Sequence, residues 1–190
     1  MSEAVEGALT ASSAAPRPVG EAGFRDTMAR FATGVTVVTC VQDGFDHAMT
    51  ANSFTSVSLE PPLVLVCVED DSRFHEAISS VGTWAVSVLA EHQKGRASWF
   101  ATRGRPLVAQ FDATPTHRGE LSGALLLDGA LAHLECRTVA VHRAGDHDIV
   151  VGEVLGEAGR RRAGHGSGFL QGVGVGPRDA ARRDQGVLPG

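Results

Sequence analysis

The sequence predicts a mainly β fold, in which six strands close into an antiparallel barrel accompanied by a few short helices. Six segments are rich in Val and Thr and are separated by Asp, Gly and Pro, which is the pattern of strands and turns. The helical segments do not alternate regularly with these strands, and this argues against a doubly wound parallel sheet. A closed barrel also removes exposed strand edges.

The strand segments differ in length along the chain. The first four are short, whereas the last two are long and are joined by a loop over residues 143–147. A short loop of this kind predicts an antiparallel hairpin. The strands are predicted over residues 34–42, 47–54, 63–69, 84–90, 130–141 and 148–155.

Three segments have helical spacing. In the first, Phe24, Met28 and Phe31 recur at intervals of three and four, and Gly34 ends the segment. The second crosses between the third and fourth strands, with Ser72 placed to cap its N-terminus. The helices are predicted over residues 23–33, 72–80 and 91–101.

Composition limits the classes of protein that fit the chain. The 190 residues, 43% of them hydrophobic, suffice for one domain. The net charge of -5 comes from mixed acids and bases without a basic stripe, so we expect no nucleic acid partner. The longest apolar runs, such as residues 63–68, are too short for a membrane helix, and we expect no membrane partner. Cys40, Cys67 and Cys136 form no CxxC pair, which indicates a reduced, cytoplasmic protein.

The two ends of the chain differ in composition from the rest. Residues 1–20 are rich in Ala, Ser, Glu and Pro and lack the basic start and apolar stretch of a signal peptide. They are predicted to be a disordered leader. Residues 171–190 show no periodicity and are predicted to be a disordered tail. We therefore expect the folded domain over residues 21–170.

Common catalytic motifs are absent from the sequence. No GxGxxG lies between a strand and a helix, as a Rossmann nucleotide site requires. The eight His residues are scattered, without HExxH or a Cys/His cluster, so no metal site is expected. No GxSxG nucleophile elbow occurs. By elimination, any chemistry comes from a bound organic cofactor.

Residues 49–64 read MTANSFTSVSLEPPLV, and this segment resembles the flavin reductases with an FMN-binding split barrel. These proteins are the reductase partners of two-component flavin monooxygenases. The resemblance extends over roughly residues 24–155 and includes residues 31–39, 86–90 and 145–147. It implies a six-stranded Greek-key split barrel, a homodimer, and FMN, with FAD possible, reduced by NADH or NADPH. It also implies a partner monooxygenase that receives reduced flavin.

The TANSF region is where the resemblance places the flavin ring. Donors and acceptors suit the pyrimidine edge of the ring, and small residues suit its face. A polar edge strand with capping Asn and Ser is the structural alternative. The ring contacts implied are Asp46, His47, Ala48, Met49, Thr50, Ala51, Asn52 and Ser53.

The start of the second predicted helix is where the resemblance places the flavin phosphate and ribityl chain. Ser72 and Arg73 offer a hydroxyl and a positive charge. Asp70 and Asp71 would repel a phosphate unless they point to solvent. Alternatively, Ser72 only caps the helix and Arg73 pairs with these acids. The end of the preceding strand, Cys67, Val68 and Glu69, joins this group.

Three further side chains are assigned by resemblance. His147 is expected near the nicotinamide and flavin reaction centre, where it can donate a hydrogen bond or move a proton. Trp99 and Phe100 are expected to cover the flavin. The alternatives are a surface hairpin residue for His147 and core packing for the two aromatic residues.

Residues 160–170 depart from the family pattern. Family members carry an apolar strand here that contributes to the nicotinamide site, whereas this chain has three consecutive arginines, Arg160 to Arg162. Either the arginines bind a dinucleotide phosphate, or the last strand is damaged or reorganised and the arginines form a solvated loop. His165 aligns with the end of the family motif and is an implied cofactor contact. A non-catalytic flavin-binding module, such as a carrier, sensor or storage protein, is the alternative function, and a split-barrel oxidase is a third.

Overall fold

The computed structural model describes residues 19–159 of the chain, with side chains through residue 156. The predicted leader over residues 1–20 lies outside the described residues except for its last two positions, and the predicted tail over 171–190 lies outside them entirely. Contacts divide the chain into two compact units. The first helix belongs to one unit, and all described strands and the other helices belong to the unit Ala32–Gly176.

The first helix, α1, covers Glu21–Met28 and is shorter than the predicted segment. Glu21 and Arg25 form an ion pair one turn apart, at 2.8 Å. Phe24 and Met28 are both exposed. The apolar spacing therefore predicted a helix correctly, but it placed the end of the helix too late.

The strands form two antiparallel sheets. The main sheet has seven strands in the order β2-β1-β5-β8-β9-β4-β3, and β6 pairs with β7 in a second sheet. Every pairing is antiparallel. The strands are β1 (Thr36–Gln42), β2 (Phe45–Ala51), β3 (Thr55–Leu59), β4 (Pro62–Glu69), β5 (Thr83–Val88), β6 (Thr116–Arg118), β7 (Leu125–Leu127), β8 (Ala132–Ala144) and β9 (His147–Gly159).

The mainly β class with an antiparallel sheet is confirmed, but the main sheet has seven strands where the sequence predicted six. The additional strand is β3, which lies at the end of the hydrogen-bonded order. Its residues are mostly exposed, and Ser56 and Ser58 flank Val57. A short, polar edge strand carries too little apolar signal to be recognised from sequence. β6 and β7, of three residues each, were missed for the same reason of length.

The principal core lies on one face of the main sheet. It joins residues from strands far apart in the sheet order, such as Val38 of β1, Val66 of β4 and Val150 of β9. The helix α2 (Arg73–Ser80) inserts Phe74 and Ile78 into the same cluster. The sheet must therefore curl, because a flat sheet would hold these strands apart.

The strand β1 is buried on both faces. Val38 and Cys40 enter the principal core, whereas Val37 packs in a second cluster with Leu89 and Phe100. Phe100 comes from α3 (Lys94–Ala101), which follows a 3₁₀ turn, Glu91–Gln93. Burial on both faces explains the continuous apolar reading of β1 in the sequence.

The last two strands form a hairpin that is tighter than predicted. Ala144 pairs with His147, so only Gly145 and Asp146 lie in the turn. Gly145 has φ of 69°, a conformation that glycine adopts without steric cost. The predicted loop over residues 143–147 is therefore too long. Among the described residues, none of the helices has the length and hydropathy needed to cross a membrane.

Candidate functional site

A cleft of about 540 Å³ opens where the ends of several elements meet. Its walls come from the second half of β2, the end of β4, the start of α2, the segment that follows α3, and the first residue of β9. These elements are distant in sequence, yet they contain most of the predicted contacts. The cleft brings together His47, Ala48, Met49, Thr50, Ala51, Asn52, Ser53, Cys67, Glu69, Ser72, Arg73, Phe100 and His147.

Three predicted contacts do not line this cleft. Val68 alternates with Cys67 and Glu69 along β4 and points into the principal core. Asp46 forms an ion pair with Arg118, with the shorter contact at 2.5 Å. The indole N–H of Trp99 donates a hydrogen bond to the carbonyl oxygen of Gln110, with an N–O distance of 2.8 Å. His165 and the cluster Arg160 to Arg162 lie outside the described residues.

Hydroxyl groups anchor the β2 wall. Thr50 donates its hydroxyl to the carbonyl of Ala97 in α3, at 2.7 Å. Ser53 bridges to β4, because its Oγ accepts from the backbone amide of Cys67 at 3.1 Å and donates to the same residue's carbonyl at 3.2 Å. Asn52, between them, is exposed in the cleft. β2 thus lies at the edge of the main sheet and, with Asn52 and Ser53 after it, forms one wall of the cleft.

Ser72 caps the helix α2 as the sequence predicted. Its Oγ accepts from the backbone amide of His75 at 3.1 Å and donates to the carbonyl of Glu69 at 2.7 Å. Arg73 donates to the carbonyl of Arg105 at 3.2 Å, and in the described part of the chain it forms no ion pair. Ser72 therefore forms the helix cap that the alternative expects while still lining the cleft, and Arg73 does not form the expected ion pair with Asp70 or Asp71.

The two acids ahead of Ser72 point in different directions. Asp70 is paired with Arg143 on the hairpin, and this hydrogen bond holds the pKa of Asp70 below its ordinary value. Asp70 does not line the cleft, whereas Asp71 lines it and is exposed. The repulsion expected for an anion in the cleft is therefore confined to one solvated carboxylate on this turn.

The segment after α3 is a wall of the cleft that sequence reasoning missed. It contributes residues 102–105, with Arg103 and Arg105 on either side of Gly104. Arg103 forms an ion pair with Glu69 across the cleft. The sequence does contain a signal for this wall, because two arginines flank a glycine shortly after a predicted helix. Exposed backbone amides and guanidinium groups bind anions.

Arg105 is a buried cation without a carboxylate partner among the described residues. Its guanidinium donates to the carbonyls of Ala48, Phe100 and Thr102 and to the side chain of Gln110. Burial, followed by the nearby charge of Arg73, lowers the pKa of Arg105 to about 10. The group is still protonated at neutral pH, so it adds a positive charge beside the cleft.

His47 is the most deeply buried imidazole at the cleft, with 6% of its surface exposed. Its Nδ1 has no hydrogen-bond partner among the described residues. Burial lowers the pKa of His47, and the charge of Arg73 lowers it further, while Asp46 and Asp43 oppose these effects. His47 is therefore neutral near pH 7, and its Nδ1 is both buried and unpartnered among the described residues.

His147 lies at the rim of the cleft. Its Nδ1 is 2.8 Å from Oδ1 of Asp146, and this hydrogen bond lowers the pKa of Asp146. Because Nδ1 is engaged, Nε2 is the ring nitrogen left for a ligand. The side chain is 41% exposed, so it is accessible without any rearrangement.

The donor set fits an elongated ligand with an aromatic ring and an anionic end. Small residues and amide or hydroxyl groups line the β2 side, and arginines lie at the α2 side. His47, whose buried Nδ1 has no partner among the described residues, adds a polar side chain to this lining. No cluster of metal-ligating side chains is found in the part of the chain that the structure describes.

Comparison with known families and proteins gives one consistent result. Residues 28–166 match the flavin reductase like domain. The chain is 48% identical over 139 residues to an NADH-dependent FAD reductase of Streptomyces globisporus, covering 73% of this chain and 76% of that protein. It is 38% identical over 149 residues to HsaB, the reductase subunit of a flavin-dependent monooxygenase of Rhodococcus jostii, covering 78% of this chain and 72% of that protein.

Solved structures with a similar fold are proteins of the same kind. BorF, the flavin reductase component of a bacterial two-component tryptophan halogenase, superposes with a TM-score of 0.71 at 49% identity, covering 75% of this chain and 89% of that one. The NADH:FAD oxidoreductase of Streptomyces globisporus in complex with NAD and FAD fragments superposes with a TM-score of 0.69 at 46% identity, covering 73% and 81%.

Proposed function

The chain belongs to the flavin reductase-like domain family, and from this premise we propose that its cleft binds a flavin and a nicotinamide dinucleotide next to each other. The protein is a flavin reductase that uses NADH or NADPH to reduce FMN or FAD, and it supplies reduced flavin to a partner monooxygenase. The observation that carries this function is the convergence of the MTANS strand, Arg73 and His147 on one cleft.

The flavin ring would be held by the β2 side of the cleft. Ala51 is small enough to permit close approach of the ring, and Asn52 presents an amide with two donors and an acceptor. The Thr50 and Ser53 hydroxyls are engaged with backbone carbonyls, so they fix the strand and offer lone pairs to the ligand. The remaining β2 contacts and Cys67 complete this wall.

The phosphate end of the flavin would be held by the α2 side. Arg73 is exposed at the cleft and without an acidic partner in the described residues, and Arg105 adds a second positive charge nearby. A guanidinium binds phosphate oxygens through paired hydrogen bonds. Both FMN and FAD carry a phosphate group at the end of the ribityl chain, so this contact would serve either flavin.

The reaction itself requires alignment more than acid-base chemistry. When bound, the flavin supplies the hydride acceptor and the reduced nicotinamide supplies the donor. The chain's own task is to hold the two rings in contact and keep them oriented. His147, positioned by Asp146, can donate a hydrogen bond through Nε2 at the rim, where the nicotinamide enters.

We also propose several finer structural features on the basis of membership in this family. They are a Greek-key split barrel, a homodimer, a cytoplasmic location, and a folded domain over residues 21–170 with the leader and tail on either side. Exposed apolar side chains on β3, β8 and β9 support an assembly between copies, because association between chains buries such surface. They are Val57, Leu59, Val139, Val141 and Leu155.

The proposed function is tested by multiple turnover with free flavin. Catalytic amounts of the protein are mixed with excess FMN or FAD and with NADH or NADPH, and the loss of the reduced dinucleotide is followed. Many equivalents consumed for each protein chain would establish a reductase with a diffusing flavin. Tight flavin binding without any dinucleotide consumption would instead establish the flavin-binding module.

A further inference from the structure

An ion pair between Glu69 and Arg103 crosses the candidate cleft. Glu69 is the last residue of β4, and Arg103 lies in the segment after α3. Both side chains line the cleft. The Arg103 side chain is 72% exposed and that of Glu69 is 39% exposed. Such a solvated pair is weak, and either partner can be exchanged at small cost.

The other cleft arginines are not neutralised in this way. Arg73 and Arg105 donate to backbone carbonyls or to an amide, and neither has a carboxylate partner in the described region. Asp71 is the second carboxylate at the cleft, and it is exposed. Glu69 is therefore the acid that occupies one of three arginines lining the same cavity.

We propose that Glu69 competes with the flavin phosphate for Arg103, and that this competition lowers the affinity of the protein for flavin. The inference rests on the proposed function, and it adds Arg103 as a phosphate ligand and Glu69 as an internal competitor. Glu69 occupies Nη2 of the Arg103 guanidinium, one of the N–H groups that a paired contact with a phosphate would use, so Glu69 and the phosphate compete for this edge of the guanidinium. A reductase that delivers free reduced flavin benefits from this weakened binding.

The test measures flavin dissociation constants in the absence of nicotinamide. Glu69→Gln keeps the size of the side chain and the backbone carbonyl that accepts from Ser72, but it removes the charge. We expect the dissociation constant for FMN to fall about threefold, which is the scale of an exposed ion pair. Riboflavin has no phosphate, so its dissociation constant should not change. FAD should follow FMN.

A matched pair away from the cleft provides the control. Arg137 and Glu153 form an ion pair between β8 and β9 at 2.5 Å, and neither residue lines the cleft. Glu153→Gln removes the same charge from the chain, and it should leave FMN binding unchanged. If Glu153→Gln also raises the affinity for FMN, the gain from Glu69→Gln comes from the change in net charge. That result would overturn the competition.

The role of Arg103 is tested separately. Arg103→Gln should weaken FMN binding several-fold and leave riboflavin binding unchanged. In the Arg103→Gln background, Glu69→Gln should improve FMN binding less than it does in the wild-type chain. Equal gains in the two backgrounds would show that Glu69 does not act through Arg103.

Failure of this inference is distinguishable from failure of the proposed function. If Glu69→Gln binds FMN no more tightly than wild type while both reduce flavin, the competition is refuted and the reductase stands. An equal gain with riboflavin also refutes it, because the phosphate would not be involved. If the wild-type chain binds no flavin at all, both the function and the competition are refuted.

Discussion

Arg105 donates through Nε to Oε1 of Gln110 at 3.0 Å, and both side chains are buried. Gln110 in turn donates to the carbonyl of Asp46 at 2.6 Å, while Arg105 donates to that of Ala48. The two side chains therefore attach the segment after α3 to the backbone of β2. This contact fixes the distance between two walls of the cleft.

Loss of Arg105 should destabilise the fold. Arg105→Met leaves several buried carbonyls and the Gln110 amide without donors, and we expect the free energy of unfolding to fall by about 2–4 kcal/mol. Urea unfolding measures this change. Arg137→Met, at an exposed position, should change it by less than about 0.5 kcal/mol. Equal effects of the two substitutions would show that the Arg105 contacts do not hold the cleft walls.

Stability should depend on the charge state of His47. Burial lowers the pKa of His47 below its ordinary value of 6.5, so the folded chain binds a proton less readily than the unfolded chain. The stabilisation is therefore present above about pH 6.5 and is lost as the pH falls below it. Urea unfolding between about pH 5 and about pH 8 should show a steeper loss for wild type than for His47→Gln. Parallel curves would contradict the burial of a neutral His47.

The three cysteines should differ in reactivity. Cys67 lies in the cleft and is partly exposed, whereas Cys40 and Cys136 are buried, and burial raises the pKa of each buried thiol to about 12. We expect iodoacetamide to modify Cys67 first and the other two only on unfolding. Bound FMN should slow the modification of Cys67, as measured by mass spectrometry of peptides. Modification of Cys67 at the same rate with and without saturating FMN would place the flavin elsewhere.

Replacement of His147 should slow turnover without abolishing it. Hydride transfer needs no protein acid or base, so His147→Gln should lower kcat only about tenfold. The dissociation constant for FMN should stay unchanged, because His147 lies at the rim. His142→Gln alters an exposed histidine of the same hairpin outside the cleft and should leave kcat unchanged. A loss of activity beyond about a thousandfold would instead make His147 an essential proton donor.

Strong local patterns made much of the fold predictable. The continuous apolar reading of β1 follows from its burial on both faces, and Ser72 is a side-chain cap that any helix start of this kind permits. β3 was missed because an exposed edge strand carries alternating Ser and few buried residues. The end of α1 was misplaced because Phe31 continues the apolar spacing beyond the helix.

The candidate site was predictable only where neighbouring residues in the sequence form a recognisable pattern. The residues of β2 and the Ser72-Arg73 turn lie together as expected. The Val68 side chain does not line the cleft, because side chains alternate along a strand and this one turns into the core. Arg103 and Arg105 were missed because the contact of Arg103 with β4 and that of Arg105 with β2 are tertiary contacts that no local pattern encodes.

Anaerobic reduction of flavin bound at the cleft tests the central claim most directly. Equimolar protein and FMN are mixed with NADH, and the bleaching of oxidised flavin is followed for wild type, Arg73→Glu and the distant control Arg137→Glu. The account predicts rapid bleaching for wild type and Arg137→Glu and a strong loss for Arg73→Glu that excess FMN partly restores. If flavin bound to wild type stays oxidised with NADH and also with NADPH, the account is contradicted.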